Sequence, residues 1–422
     1  MPPVARSDSN PTATLRGLRQ STLFELALFL LPFENFFFAP SKGWAAIAPI
    51  GFFIYVLANP ERWMSAAREL RFVLMFVGVT LFITSINFIV FPPDGAVLFD
   101  VSRALALGIT FLFALTIYFR DHEPGRALRI VAIAYAISLG VGVLQLIALR
   151  FEIDPLIEAL HALGKRSVLR GQRRVQFTFT EPAYLGMHVY GVLLPLVIFF
   201  RGHRASRTVL RVMIAFVASG LLFGSSLKFR LDTAVVAILL AVFGVSWQSK
   251  RVRRVGWIIA FALIVFGIWF GTQNPRVQRL IRQGVQGDAS VAARAFRVQA
   301  SLVGYRHDPV ACLTGHGLSN VWMPFRSGFH RTRLAWDRRR LAEIERLRFR
   351  RPSSLLSMPI RIVSELGLFV LAALLVALFD RKHLFLFAVL LWLYLGFDSY
   401  AFYSIWMYVY FVKVRPFNRS SA

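Results

Sequence analysis

The sequence LRFVLMFVGVTLFITSINFIVF fills residues 70–91 and contains one charged side chain, Arg71, near its start. A helix needs about 17 to 25 consecutive apolar residues to cross a bilayer. Runs of this kind recur along almost the whole chain, and the last two are short enough to form one re-entrant pair instead. The predicted spans are 22–38, 43–58, 70–91, 97–119, 128–149, 179–200, 208–225, 231–248, 255–273, 355–379, 383–397 and 401–412. The pattern therefore predicts an all-α, polytopic integral membrane protein of about twelve transmembrane helices.

The composition of the chain excludes several other classes of protein. Of 422 residues, 56% are hydrophobic, yet 49 Lys+Arg against 22 Asp+Glu give a formal net charge of +27. Aromatic residues reach 14%, which a disordered basic chain would lack. A soluble nucleic-acid-binding protein could not bury the apolar surface implied by a mean hydropathy of +0.58. The single cysteine, Cys312, excludes an internal disulfide framework.

The positions of the basic residues predict the orientation of the spans. Alternate loops and both tails are rich in Lys and Arg, whereas the short loops between them carry almost none. Under the positive-inside rule this pattern places both termini in the cytoplasm. The first span is interrupted by Glu25 and Glu34, so we do not expect a cleavable signal peptide. The chain divides into nine spans within 1–273, a large arginine-rich outward loop at 274–354, and three spans with a cytoplasmic tail within 355–422.

Charged residues at membrane depth are candidates for function, because burying a charge in a bilayer is costly. Arg361 and Glu365 are four residues apart and share a helix face, so they form either a structural brace or the rim of a substrate site. Asp100 and Arg103 are three residues apart and also share a helix face. We interpret them as an ion pair that holds helices together. Asp398, which is surrounded by tyrosines, is assigned to an interfacial aromatic belt.

Two further segments place cations at the predicted outer face. The turn GSSLKFRLD (224–232) holds Lys228 and Arg230, which either snorkel to the membrane boundary or line a phosphate site. The 274–354 loop holds 16 arginines, and arginine matches phosphate oxygens with a rigid fork of donors. These segments indicate a polyanionic partner.

The long loop also shows helical periodicity. In DASVAARAFRVQASLVGY we predict an amphipathic helix that is capped by Asp288 or Ser290. Its predicted apolar face is formed by Val291, Ala295, Val298 and Leu302, and its polar face by Arg294, Arg297 and Ser301. A second, basic helix is predicted over 334–351. The histidines show no metal-ligand spacing, so no metal site is predicted.

Four segments resemble the O-antigen polymerase and ligase family of bacterial envelope glycosyltransferases. They are RVQFTFTEPAYLG (174–186), GSSLKFR (224–230), SVAARAFRVQ with LTGHGLSNV (290–321), and IVSELGLFVL (362–371). The residues that match the family motifs are Arg174, Glu181–Pro182, Arg294, Gly315–Gly317, Glu365 and Gly367. Phe177 stands where the family has glycine. Leu356 stands where family ligases have histidine, which favours a polymerase over a ligase.

The resemblance implies a glycosyltransferase that polymerises oligosaccharide repeat units carried on undecaprenyl diphosphate. The donor and acceptor would both be lipid-linked glycans at the outer face of a bacterial inner membrane, and no metal or other cofactor is expected. Further partners would be membrane lipids, a chain-length regulator and a flippase, with no nucleic acid. The expected catalytic residues are Arg174, Arg294, Glu181 and Glu365, and the expected substrate-binding residues are Arg173, Lys228, Arg230, Arg297, Arg361 and His316.

Within this interpretation the arginines would hold the departing diphosphate, and Glu181 or Glu365 would be the base, with His316 ranked third. A ligase that transfers a finished glycan and a lipid-linked oligosaccharide flippase are the alternatives.

Overall fold

A computed structural model describes residues 21–34, 47–163, 174–223, 226–243, 261, 265, 275–334, 336 and 355–414. All the regular secondary structure in these residues is helical, as the apolar runs predict. The helices are 21–29 (α1), Ala48–Leu57 (α2), Trp63–Glu69 (α3), Arg71–Val90 (α4), Gly95–Asp121 (α5), Pro124–Arg150 (α6), Asp154–Leu163 (α7), Pro182–Phe199 (α8), Arg204–Leu222 (α9), Leu227–Phe243 (α10), Pro275–Gln283 (α11), Ala289–His307 (α12), Pro309–Thr314 (α13), Trp322–Leu334 (α14), Met358–Leu366 (α15), Leu368–Leu378 (α16), Leu384–Leu395 (α17) and Tyr403–Val409 (α18).

Among the described residues, five helices are long and apolar enough to cross a membrane: α4, α5, α6, α8 and α9. Helices α2 and α16 are apolar but shorter. The predicted run 355–379 is divided at Gly367 into α15 and α16, and the run 255–273 lies almost wholly outside the described residues. The structure therefore supports a membrane protein, while the count of twelve spans stays a prediction.

The outer surface of the bundle is apolar, as hydrocarbon requires. Ile89 is 86% exposed, Val376 77% and Phe99 67%. A water-soluble protein rarely leaves so much contiguous apolar surface uncovered. The interior is filled by aromatic rings: Phe24 of α1 stacks on Tyr118 of α5 with their centroids 4.0 Å apart.

Helices α11 to α14 lie within the predicted 274–354 loop. Asp288 caps α12 by accepting a hydrogen bond from the N–H of Val291 at 3.0 Å, as predicted. Helix α12 packs against α14 at two glycines: a Cβ on Gly304 would meet the Pro324 carbonyl, and one on Gly328 would meet the Ala300 carbonyl. The basic helix predicted over 334–351 lies mostly outside the described residues.

The predicted apolar face of α12 is wrong by one position. The buried side chains are those of Ala292, Phe296 and Ala300, whereas Leu302 is 48% exposed. The small residues in this stripe let α14 approach closely, and its aromatic rings pack around Phe296. The close approach of the α12 and α14 backbones, more than the hydrophobicity of the side chains, therefore determines which face of α12 is buried.

Candidate functional site

The loop at 315–320 is fixed against the end of α15 by glycines with positive φ. Gly315, Gly317 and Gly367 have φ of 77°, 84° and 91°, a region that residues with a Cβ rarely adopt. The N–H of Gly317 donates to the Glu365 carbonyl at 2.8 Å, and a Cβ on Gly315 would lie 2.5 Å from the same oxygen. The Gly-x-Gly motif therefore allows the backbone of the loop to approach α15 and cap its carbonyls.

Glu365 is the centre of a buried polar cluster. Its side chain is completely buried, and it accepts hydrogen bonds from Arg361 Nε at 3.2 Å and from the Tyr400 hydroxyl at 2.9 Å. The backbone N–H of Ser319 donates to its second carboxylate oxygen at 3.1 Å. The Arg361 guanidinium also donates to the Asp398 carbonyl at 2.6 Å and lies over the Tyr400 ring, 4.9 Å from its centroid. We call Arg361, Glu365, Asp398 and Tyr400 the Arg361 cluster.

Asp398 does not belong to an interfacial belt, and that interpretation is corrected. It is 6% exposed, and its carboxylate accepts from the N–H groups of Leu355 at 2.7 Å and Leu356 at 3.0 Å. Leu356 is held with φ of 60°, a conformation that costs a residue with a Cβ about 1–3 kcal/mol. A buried carboxylate needs donors, and here the two N–H groups that precede α15 supply them.

Cations from two other elements lie beside residues 396–400, which we call the 396–400 turn. Lys228 of α10 lies next to Gly396. Its Cε would be 3.3 Å from a Cβ built on that glycine. Arg297 of α12 is partly buried and within electrostatic range of Asp398, and Arg294 is within range of both Arg297 and Asp232. Burial lowers the pKa of the Arg297 guanidinium, and the Asp398 carboxylate opposes that effect. Residues far apart in sequence thus converge on one turn.

Part of this positive charge is already balanced. Lys228 Nζ lies 2.8 Å and 3.0 Å from the two carboxylate oxygens of Asp232, and Trp392 Nε1 donates to Asp232 at 3.0 Å. Arg230, the second cation of this segment, is partly buried on α10. Arg294 of α12 is therefore a better candidate than Lys228 for binding an anion.

His316 is fixed in a form that can accept a proton. Its Nδ1 lies 3.2 Å from the Ser364 carbonyl, and because a carbonyl only accepts, Nδ1 carries the proton and Nε2 a lone pair. Burial lowers the pKa of the imidazole. The side chain of Asn320 ties the same loop to α4 by donating to the Phe91 carbonyl at 2.8 Å.

The segment that carries Arg174 and Glu181 contains a residue with left-handed backbone. Phe177, which replaces the family glycine, has φ of 57°, the left-handed conformation that favours glycine. Gln145 of α6 holds this conformation by donating to the Phe177 carbonyl at 2.8 Å and accepting from its N–H at 2.9 Å. Arg174 is partly buried and Glu181 is exposed. The Tyr184 ring packs against Phe397 at 5.6 Å, which links this segment to the 396–400 turn.

The remaining predicted residues are placed as follows. Arg173 lies outside the described residues. Asp100 and Arg103 form the expected pair at 3.2 Å, on a partly exposed surface away from the cluster. Within the part of the chain that the structure describes, no group of three His, Cys, Asp or Glu side chains is arranged to hold a metal ion.

Sequence reasoning missed a second buried cluster inside the bundle. Glu34, Tyr135 and His188, which we call the His188 cluster, are at most 1% exposed. His188 Nε2 lies 3.0 Å from the Glu34 carboxylate, and Nδ1 lies 2.7 Å from the Tyr135 hydroxyl. The π-helical segment Val189–Leu193 follows His188 directly. The one available signal was Glu34 within the first apolar run, since a carboxylate there needs a partner.

No family model matches the chain, and no curated protein or solved structure matches it. The resemblance to the O-antigen polymerase and ligase family therefore depends on the quoted motif residues alone.

Proposed function

We propose that the protein is a membrane glycosyltransferase that polymerises oligosaccharide repeat units carried on undecaprenyl diphosphate. The observation that carries the proposal is the position of α12, which places Arg297 within electrostatic range of Asp398 in the Arg361 cluster and Arg294 within range of Asp232 on α10. Tyr184 joins the 396–400 turn to the segment that holds Arg174 and Glu181. The motif residues that resemble the family, although scattered over the sequence, are thus associated with one region of the fold.

The chemistry requires an anion site next to apolar helices. A hydroxyl of the acceptor glycan attacks the anomeric carbon of the donor, and the bond from that carbon to the diphosphate oxygen breaks. The diphosphate leaves with the electron pair, and the hydroxyl proton passes to a base. Arginine side chains that are held in place before the reaction can stabilise the departing charge. Arg294 and Arg174 are assigned this role, with Arg297 in support.

The base is assigned to Glu181 because Glu365 is already committed to other contacts. Both oxygens of Glu365 accept hydrogen bonds from Arg361, Tyr400 and the Ser319 N–H. The side chain is also completely buried, so a substrate hydroxyl cannot reach it. Glu181 is exposed, and His316, with its lone pair on Nε2, is the second candidate. Glu365 and Arg361 then serve to position the loop at 315–320.

The proposal places the 396–400 turn at the outer face of a bacterial inner membrane. Twelve spans would leave both termini in the cytoplasm, on the side that is richer in Lys and Arg. The lipid tails of donor and acceptor would remain in the bilayer beside the apolar helices.

The test is a polymerisation assay with the purified full-length protein and a lipid-linked repeat unit. We expect a ladder of products from the unchanged chain and loss of at least about 100-fold in rate for Arg294→Ala, since a charge-stabilising donor is worth that much in other enzymes. Arg306→Ala is the matched control, because Arg306 lies on the same helix and is exposed. A full ladder from Arg294→Ala would overturn the assignment.

The products of the same assay distinguish a polymerase from a ligase. Transfer of one unit to a different acceptor, without a ladder, would identify a ligase. Neither a ladder nor transfer to any acceptor would count against both enzymes.

A lipid-linked oligosaccharide transporter is a second candidate, and the His188 cluster favours it. A carboxylate and an imidazole buried within spans are typical of proton relays in transporters. This function predicts lipid-linked glycan movement in proteoliposomes that stops when the proton gradient is removed. Movement that persists without the gradient, or no movement, would contradict it.

A further inference from the structure

A cavity with a volume of about 810 Å³ lies at the opposite end of the bundle from the Arg361 cluster. It is lined by residues of α1, the α5–α6 turn and the α8–α9 turn. Helix α5 begins near Phe91, whose carbonyl binds Asn320 of the candidate site, and ends at Asp121 beside the cavity. At 1.5 Å per residue, its 27 residues separate the two regions by about 40 Å. The cavity is therefore independent of the proposed reaction.

The cavity is a cleft between helix ends and not a void in the packed core. At its wall the His203 ring packs closely against the start of α6, because Gly125 has no Cβ: one built there would lie 2.6 Å from the ring. The cavity opens to the surface, where Arg126, Arg129 and Arg204 are exposed around it.

The charges around the cavity favour an anion. At its base Glu25 accepts hydrogen bonds from the Tyr118 hydroxyl at 3.1 Å and lies 2.7 Å from Arg126, so its charge is balanced. Arg129 and Arg204 remain, against the exposed Glu123 at the edge. Helices α6 and α9 both begin at the cavity, and their first turns add partial positive charge.

We propose that this cavity binds a phosphate group, either of an anionic lipid headgroup or of a free phosphate compound. Basic pockets between transmembrane helices at the cytoplasmic face bind lipid headgroups in this way. The arginine fork matches phosphate oxygens, which both kinds of ligand present.

The test compares ligands on the full-length protein in a neutral detergent. Phosphatidylglycerol, phosphatidylcholine and inorganic pyrophosphate are titrated separately, and the thermal unfolding temperature gives the affinity of each. We expect phosphatidylglycerol to bind and phosphatidylcholine not to bind. Arg129→Gln with Arg204→Gln is expected to weaken binding at least about tenfold, since each removes a charge-assisted contact.

The matched control is Arg201→Gln with Arg207→Gln. These arginines are exposed near the same turn but do not line the cavity. The control pair changes the net charge equally, and we expect it to weaken binding less than about threefold. The variant with Arg129→Gln and Arg204→Gln, which we call the cavity pair, must fold for this comparison. If it does not fold, Thr208→Glu is used instead, because it places a negative charge at the cavity wall, and Thr208→Gln is its control.

Each outcome decides the proposal. Binding of phosphatidylglycerol alone supports a lipid headgroup, and equal binding of pyrophosphate supports a free phosphate compound as the source. The proposal is overturned if no phosphate-bearing probe binds, or if the control pair weakens binding as much as the cavity pair.

Discussion

The Arg361 cluster and the His188 cluster each bury a carboxylate inside the bundle, but they balance its charge differently. In the Arg361 cluster the partner is a guanidinium, which stays charged at every working pH. In the His188 cluster the partner of Glu34 is an imidazole, whose charge depends on a proton. The first is therefore a permanent brace, and the second can change its charge.

Left-handed residues lie near both clusters, but in different numbers. The Arg361 cluster is bordered by at least three of them, Gly317, Ser319 and Leu356. The His188 cluster connects the segment after α1 to α6 and α8; the Phe179 ring stacks on its imidazole at 4.3 Å, and Phe177, with φ of 57°, packs on Phe179. Strained backbone persists where surrounding contacts fix it, and such positions concentrate at functional sites. The larger number favours the Arg361 cluster as the part that shapes a binding site.

The largest expected effect tests whether the Arg361 cluster is a permanent ion pair. Arg361→Met or Glu365→Met alone leaves a buried charge without its partner and should lower the free energy of unfolding by about 3–5 kcal/mol. Replacing both residues with Met should cost much less than the sum. Unfolding in detergent with the two single variants and the double variant measures this. Additive losses would show that the pair is not coupled.

The next effect tests whether the imidazole balances Glu34 in the His188 cluster. His188→Gln leaves the Glu34 carboxylate without the ring nitrogen that lies 3.0 Å away and should lower the free energy of unfolding by about 1–3 kcal/mol. Adding Glu34→Gln should recover part of this loss, because it removes the charge left without its partner. Unfolding in detergent of the two single variants and the double variant measures this. A double variant that is as unstable as the sum of the single variants would show that the two residues are not coupled.

A smaller effect tests the left-handed backbone beside the Arg361 cluster. Gly317→Ala, at φ of 84°, should cost roughly 1–2 kcal/mol, since a Cβ crowds the backbone in this conformation. Gly202→Ala is the control, because no atom lies within 4 Å of a Cβ at that turn. Thermal unfolding of both variants measures the difference. Equal stability of the two variants would show that Gly317 is not required for its conformation.

The smallest effect tests the state of His316. Because burial lowers its pKa in the folded protein, the unfolded chain binds a proton there first, and stability falls as the pH drops below about 6.5. His316→Gln should therefore lose less stability than the unchanged protein between pH 7 and pH 5. Unfolding temperatures across this range measure it. A variant with the same acid sensitivity would contradict the buried, neutral imidazole.

Parts of the candidate site were predictable because they are local. The four-residue spacing of Arg361 and Glu365 predicted their pair, and Asp288 was one of the two residues predicted to cap α12, the other being Ser290. Contacts between distant segments were not predictable: Asp398 was assigned to the membrane interface because its donors, the N–H groups of Leu355 and Leu356, lie about forty residues earlier.

The sequence by itself determined that the chain is helical and apolar enough for a membrane, because hydrophobicity and helical period are properties of consecutive residues. Only the tertiary structure decided which charges are balanced. It paired Glu34 with His188, closed the 315–320 loop on Glu365, and brought Arg297 within electrostatic range of Asp398. These outcomes depend on contacts between residues that are far apart in the chain, and a buried charge is stable only where such contacts supply its partner.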